Sequence, residues 1–144
     1  MSVVSVVAVV CGGLLAGEEL IVRWGVAPAM RALPDAAHLR VRIALVHRLR
    51  VVVPLLIAPA VLTAVAAVVL DRAGPVAWAA LAVLGVFVLS SALGTVPINM
   101  RVADWDPDDP PSTWRATVAR WEAIDVLRSS TAVVAFVLLA VAVG

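Results

Sequence analysis

The chain contains no lysine, a single cysteine (Cys11) and few charges of either sign. One cysteine excludes an intrachain disulfide and any cysteine-based zinc site. Charged residues make up 15% of the chain, against about 25% in soluble domains. The net charge of +1 leaves no footprint for nucleic acid. No phosphate-cradling loop, nucleophile triad, zinc spacing or haem-type pair of histidines on separate helices is present. Strand-like alternation of apolar and polar residues is also missing. What is abundant is hydrocarbon: 63% of 144 residues are hydrophobic, where soluble domains have about 45–50%, and the mean hydropathy is +1.07. A globule of 15.0 kDa has no interior large enough for that much apolar surface. The composition therefore points to one small integral membrane domain.

Four apolar stretches, residues 2–22, 51–70, 76–96 and 121–143, are separated by charged punctuation. Each is close to the roughly 20 residues that a ~30 Å hydrocarbon layer requires of a helix. Backbone groups in lipid must find partners within their own segment, so these stretches are expected to be helices. The first has no basic segment ahead of it and carries Glu18 and Glu19 where a signal cleavage site would sit, so it is expected to be retained. The short Asp71–Pro75 turn makes the second and third helices an antiparallel hairpin. The expected architecture is all-α, an antiparallel four-helix membrane bundle spanning residues 1–144, with both termini on the side opposite the two long links.

Ten arginines flank those links, and only Arg72 lies at the other end. The positive-inside rule then puts the links in the cytoplasm and both termini on the non-cytoplasmic side. Trp24, Trp105, Trp114 and Trp121 fall at the same end, as an interfacial belt would. In the first link, Asp35 is expected to cap a helix running into the second span, its arginines suited to anionic lipid. In the second link, Asp109-Pro110 reads as the start of the fourth helix. Pro54 and Pro59 lie inside the second span, where they would free backbone carbonyls. A lysine-free chain rich in Ala, Val and Arg is typical of a GC-rich bacterial genome, so the inner (plasma) membrane of a bacterium is the expected location.

Polar residues at membrane depth are the candidates for chemistry, because lipid penalises them unless they face protein. Glu18 and Glu19 lie one turn from the end of the first helix. The i,i+4 spacing of Glu19 and Arg23 suggests that these two pair outward, which leaves Glu18 facing the bundle. Trp121, Asp125 and Arg128 share a face of the fourth helix, with Asp125 and Arg128 spaced i,i+3 for an ion pair. Asn99 brings an amide donor and acceptor to the end of the third helix, and His47 stands at the mouth of the second. The topology gathers these residues at one end of an otherwise apolar bundle, as a polar site capping a greasy pocket. One transition metal held by Glu18, His47 and Asp125 stays open beside a site with no cofactor at all.

Several short runs carry a family resemblance. They are Ala16-Gly17-Glu18-Glu19 with Pro28 and Leu33-Pro34, Arg48-Leu49-Arg50 leading to Pro54, and above all Val96-Pro97-Ile98-Asn99 followed by Trp114, Arg120-Trp121 and Arg128. With these the chain resembles the anthrone oxygenase-like family of small four-helix membrane proteins. The resemblance implies an enzyme that uses O2 to oxidise the activated methylene of an anthrone-like polyketide to a quinone, without a flavin or haem motif. It also implies site roles for Asn99, Trp114, Trp121 and Arg128. In the corresponding mechanism Glu18 or His47 removes a proton, Asn99 and Arg128 bind the resulting oxyanion, Asp125 orients Arg128, and the tryptophans contact the ring system. The expected partners are a lipophilic small molecule and membrane lipid, with homo-oligomerisation left open.

A competing reading is a non-catalytic scaffold or accessory subunit that recruits lipid or a partner enzyme, with Gly13 and Gly17 as a small-xxx-small packing motif. A transporter is a third reading, disfavoured by the absence of an internal repeat. An enclosed pocket lined by Glu18, Asn99 and Arg128 would favour the enzyme, and a solidly packed bundle the scaffold.

Overall fold

A computed structural model describes residues 2–71 and 74–144; Arg72, the lone arginine of the short turn, lies outside the described residues. The described chain is all-α. Four helices are long and apolar enough to cross a membrane: α1 (Val3–Arg31), α2 (Asp35–Leu70), α3 (Pro75–Ala103) and α4 (Trp114–Val143). Each of α1 and α3 packs against both α2 and α4, so the four close into a ring. The two long links lie at one end, here the loop end. The α2–α3 turn and both termini lie at the other, where the hydroxyls of Ser2 and Ser5 donate to Asp71 Oδ2. These donors hold the Asp71 carboxyl below its ordinary range.

The helices outrun their apolar stretches. With 36 residues, α2 is about 54 Å long, well beyond a ~30 Å hydrocarbon layer. It starts directly after Pro34, so Asp35 occupies the first turn rather than the cap, where its charge still suits the helix dipole. In contrast, α4 starts at Trp114 and not near Pro110. Asp106 takes the N–H of Asp108 on its side chain (2.9 Å) and that of Asp109 on its carbonyl (3.3 Å), a local turn that competes with helix initiation. Trp105 folds back from this link, donating its backbone N–H to the Val102 carbonyl and packing against the clusters that contain Trp121 and Trp114. Of the expected tryptophan belt, only Trp24 is largely exposed; Trp114 and Trp121 are buried in the bundle.

Towards the turn end the core is built from small residues: Ala60 and Ala64 of α2, Ala80 of α3, Ala132 and Ala135 of α4, with Leu15, Leu84, Phe87 and Leu139 between them. Small side chains let helix backbones approach closely, which is how helices associate when lipid supplies no hydrophobic drive. Gly12 and Gly13 receive Leu139 and Phe136 of α4, with an added Cβ meeting them at 3.2 and 3.1 Å. Gly13 is thus spent within the chain, and Gly17 meets nothing within 4 Å, so the two do not form one packing surface.

Two widened, π-helical turns interrupt this regularity, at Val22–Val26 in α1 and Ser91–Thr95 in α3. The N–H groups of Ala27 and Val96 reach back five residues, to the carbonyls of Val22 and Ser91. Pro28 and Pro97 follow directly. A proline ring crowds the carbonyl four residues back, and in both helices that carbonyl, of Trp24 or Leu93, lies inside the widened turn. Gly25 and Gly94 hold equivalent places in the two turns, a short recurrence between α1 and α3 that reading for whole-chain repeats passes over. Gly94 is where α3 meets α4: a Cβ there would lie 2.9 Å from Ile124 Cγ2. Gly94→Val is therefore expected to destabilise the protein by about 1–3 kcal/mol through overpacking, measurable as a lower thermal midpoint in detergent.

Candidate functional site

The widened turn of α3 places Ser91 and Thr95 on the wall of a cavity of about 430 Å³ near the loop end. Its α2 wall is apolar, made by Leu49, Val53, Pro54 and Ile57, with Arg50 at one edge. The opposing wall carries Glu18 and Glu19 from α1, Ser91, Thr95 and Asn99 from α3, and Trp121, Asp125 and Arg128 from α4. Ser91, Thr95 and Asn99 recur every four residues, a polar stripe on one face of α3.

Arg128 organises the polar wall. It is 5% exposed, and each of its nitrogens has a partner on a different side: Nη2 donates to Glu19 Oε1 (2.5 Å), Nη1 to Asp125 Oδ1 (3.4 Å) and Nε to Ser91 Oγ (2.8 Å). Its guanidinium also lies over the ring of Phe87, 5.3 Å from the centroid. A guanidinium has five N–H groups, so two remain for a ligand. The other oxygens are less well served. Glu18 Oε2 and Glu19 Oε2 are buried without a hydrogen-bond partner. A buried acceptor left unpaired costs roughly 1–3 kcal/mol, which a donor on a bound molecule would recover.

The pairing differs from the one expected between neighbours on α1. Glu19, not Glu18, turns into the bundle and binds the cation, while Glu18 stays half-buried at the cavity wall. Arg23 does not pair with Glu19; it reaches across to Ser129, Ser130 and the Val126 carbonyl of α4. The physical reason is the wide turn starting at Val22, which adds a residue to the helical circuit and rotates Arg23 away from the Glu19 face.

Trp121 Nε1 donates to Asn99 Oδ1 (2.9 Å). That bond fixes the amide orientation and leaves Asn99 Nδ2 free to donate. Behind Trp121, Arg42 of α2 lies over the indole at 5.1 Å and donates from Nε to His38 Nε2 (3.2 Å). Arg42 also reaches Glu122 Oε1 at 3.5 Å. These supporting residues escaped the sequence reading, although the i,i+4 spacing of His38 and Arg42 was there to be found.

Two of the expected site residues lie elsewhere. His47 is exposed and does not line the cavity. Trp114 packs edge-on against His38, 5.5 Å between centroids, also outside the cavity. Glu18 and Asp125 thus line the cavity without His47, and among the described residues no group of three or more His, Cys, Asp or Glu is placed to hold a metal.

Comparison with known proteins adds a family. Residues 43–138 match the family model described as anthrone oxygenase, a segment holding Asn99, Trp121, Asp125 and Arg128 but not the α1 carboxylates. No curated protein and no solved structure matched. With more than half of its length inside that match, the chain belongs to the anthrone oxygenase family.

Proposed function

We propose that the protein is a membrane-embedded oxygenase that binds a lipophilic, anthrone-like phenolic substrate in the cavity and oxidises its activated methylene with O2. The observation that carries this reading is the cavity itself: the bundle is open at the loop end, with an apolar wall facing carboxylates, an amide and a guanidinium. In the oxidation, the methylene carbon loses two hydrogens and gains one oxygen atom of O2, and the second oxygen leaves as water.

The Glu18 carboxylate, at the cavity wall, accepts the first proton from the methylene. The negative charge moves to the ring oxygen, where Asn99 Nδ2 and the two uncommitted N–H groups of Arg128 hold it. Glu19, Asp125 and Ser91 fix Arg128 so that these donors need no reorganisation. The hydrocarbon wall of α2 keeps water from the carbanion, which strengthens each of these interactions. The excess of arginine at the loop end supports a cytoplasmic position for it, in the inner membrane of a bacterial cell. A lipophilic substrate then reaches the cavity from the bilayer.

Oxygen uptake by the detergent-purified protein with hydroxylated anthrones tests this directly. One O2 consumed per quinone formed, at a rate well above that of heat-denatured protein, is expected; equal rates would leave the scaffold reading. A chelator-treated sample in the same assay, with metal analysis, reports whether a transition metal takes part.

A further inference from the structure

A second hollow, of about 350 Å³, lies between α1 and α4 where the chain leaves the apolar part of α1. Its lining joins Arg23, Trp24 and Arg31 of α1 to Glu122 and Val126 of α4. Two arginines and two carboxylates line it, but they are not paired one to one. Arg23 uses Nη1 on neutral acceptors only, Ser129 Oγ (3.0 Å), Ser130 Oγ (3.1 Å) and the Val126 carbonyl (3.5 Å). Among the described residues it has no carboxylate partner, and its Nε and Nη2 donors are unused. Arg31 pairs with Glu122 at 2.8 Å, but that carboxylate also serves Arg42 at 3.5 Å. Asp125, which borders the hollow, shares Arg128 with Glu19.

Arg23 therefore brings an unpaired positive charge to the rim of a groove whose apolar part is Ala27, Pro28, Ala123 and Val126, beside Glu122 and Asp125. The Arg23 guanidinium stacks on the indole of Trp24, 5.0 Å from the centroid, and Trp24 is 69% exposed. An exposed tryptophan at the end of an apolar span occupies headgroup level. The apolar floor argues against a small hydrated anion, which has no use for it.

We propose that this groove binds the phosphodiester headgroup of an anionic glycerophospholipid. Arg23 and Arg31 hold the phosphate, Trp24 packs at the boundary between headgroup and acyl chain, and one chain lies along the α1–α4 seam over Val126. The hollow shares Asp125 with the cavity, but Arg23, Trp24 and Arg31 take no part in the proposed chemistry, and the site stands whether or not the protein is an oxygenase.

Native mass spectrometry of the full chain in detergent, titrated with phosphatidylglycerol, phosphatidylcholine or inorganic phosphate, tests the proposal. Phosphatidylglycerol is expected to bind in preference to phosphatidylcholine. Near a membrane surface each arginine is worth roughly fivefold in affinity for anionic lipid, so Arg23→Gln should weaken binding roughly fivefold and the double change with Arg31→Gln roughly twenty-five-fold. Arg48→Gln, on the exposed face of α2, should leave binding unchanged. If Arg23→Gln does not fold, Trp24→Ala provides the same test without removing the bonds to α4, and should also weaken binding. No preference between the two lipids, an equal loss in Arg48→Gln, or displacement of lipid by an equal concentration of inorganic phosphate would each overturn the assignment.

Discussion

Arg128→Ala should lower the stability of the detergent-solubilised protein by about 3–5 kcal/mol, the usual cost of removing one partner from a buried ion pair. The cost comes less from the lost attraction than from what is left behind. Glu19, 2% exposed, and Asp125, equally buried, would face each other without the cation that both contact. Ser91 Oγ would lose its donor as well. Full removal of the charges should behave differently, because replacing a whole buried ionic group with hydrophobic residues of similar volume is often close to neutral for stability. The triple variant Arg128→Met, Glu19→Met, Asp125→Leu is therefore expected to recover most of the loss, although it should not turn over. Thermal unfolding followed by tryptophan fluorescence reads both results. An Arg128→Ala protein within about 0.5 kcal/mol of the parent, the range of ordinary surface substitutions, would mean that the network contributes nothing to the fold.

Glu18→Gln should have the opposite profile, an unchanged thermal midpoint and a rate of anthrone oxidation lower by about 10²–10⁴-fold, the range that general acid–base catalysis contributes. Glutamine preserves the shape and keeps a polar group at the half-buried cavity wall, but it cannot take a proton at neutral pH. The buried Oε2 of Glu18 has no hydrogen-bond partner to lose. The adjacent Glu19→Gln is the informative control: it weakens the Arg128 network, so its defect should appear in stability as well as in rate. Full activity in Glu18→Gln would remove this carboxylate as the base and shift attention to the second unpartnered oxygen, on Glu19.

The contrast between these neighbouring glutamates shows where sequence reading stops. Four helices could be read from run length and composition alone, because lipid leaves the backbone no alternative. The gathering of Asn99, Trp121, Asp125 and Arg128 at one end followed from connectivity. Which of Glu18 and Glu19 faces inward depends on the rotation of α1 about its axis, since adjacent positions differ by about 100° on a helix. That rotation is set by the seating of Phe136 and Leu139 on Gly13 and Gly12, a contact between residues more than 120 positions apart. The widened turns then break the 3.6-residue rhythm on which i,i+4 reasoning rests, which is why Arg23 lands on α4. His47 and Trp114 lie away from the cavity for a related reason: both precede the apolar stretches of α2 and α4, and there the hydrophobic pattern no longer marks an inner face.

The division of the cavity between helices has a consequence for how the protein can change over time. Glu18, Glu19, Asp125, the amide and the buried guanidinium come from α1, α3 and α4, with Asp104 just past the end of α3, whereas α2 gives mainly hydrocarbon from Leu49, Val53, Pro54 and Ile57. Chemistry and shape are thus written in different segments of the chain. Substitutions along one face of α2 can enlarge, narrow or reshape the chamber without disturbing the ionic network, so relatives with this plan are free to diverge in the molecules they accept while keeping the same reactive groups.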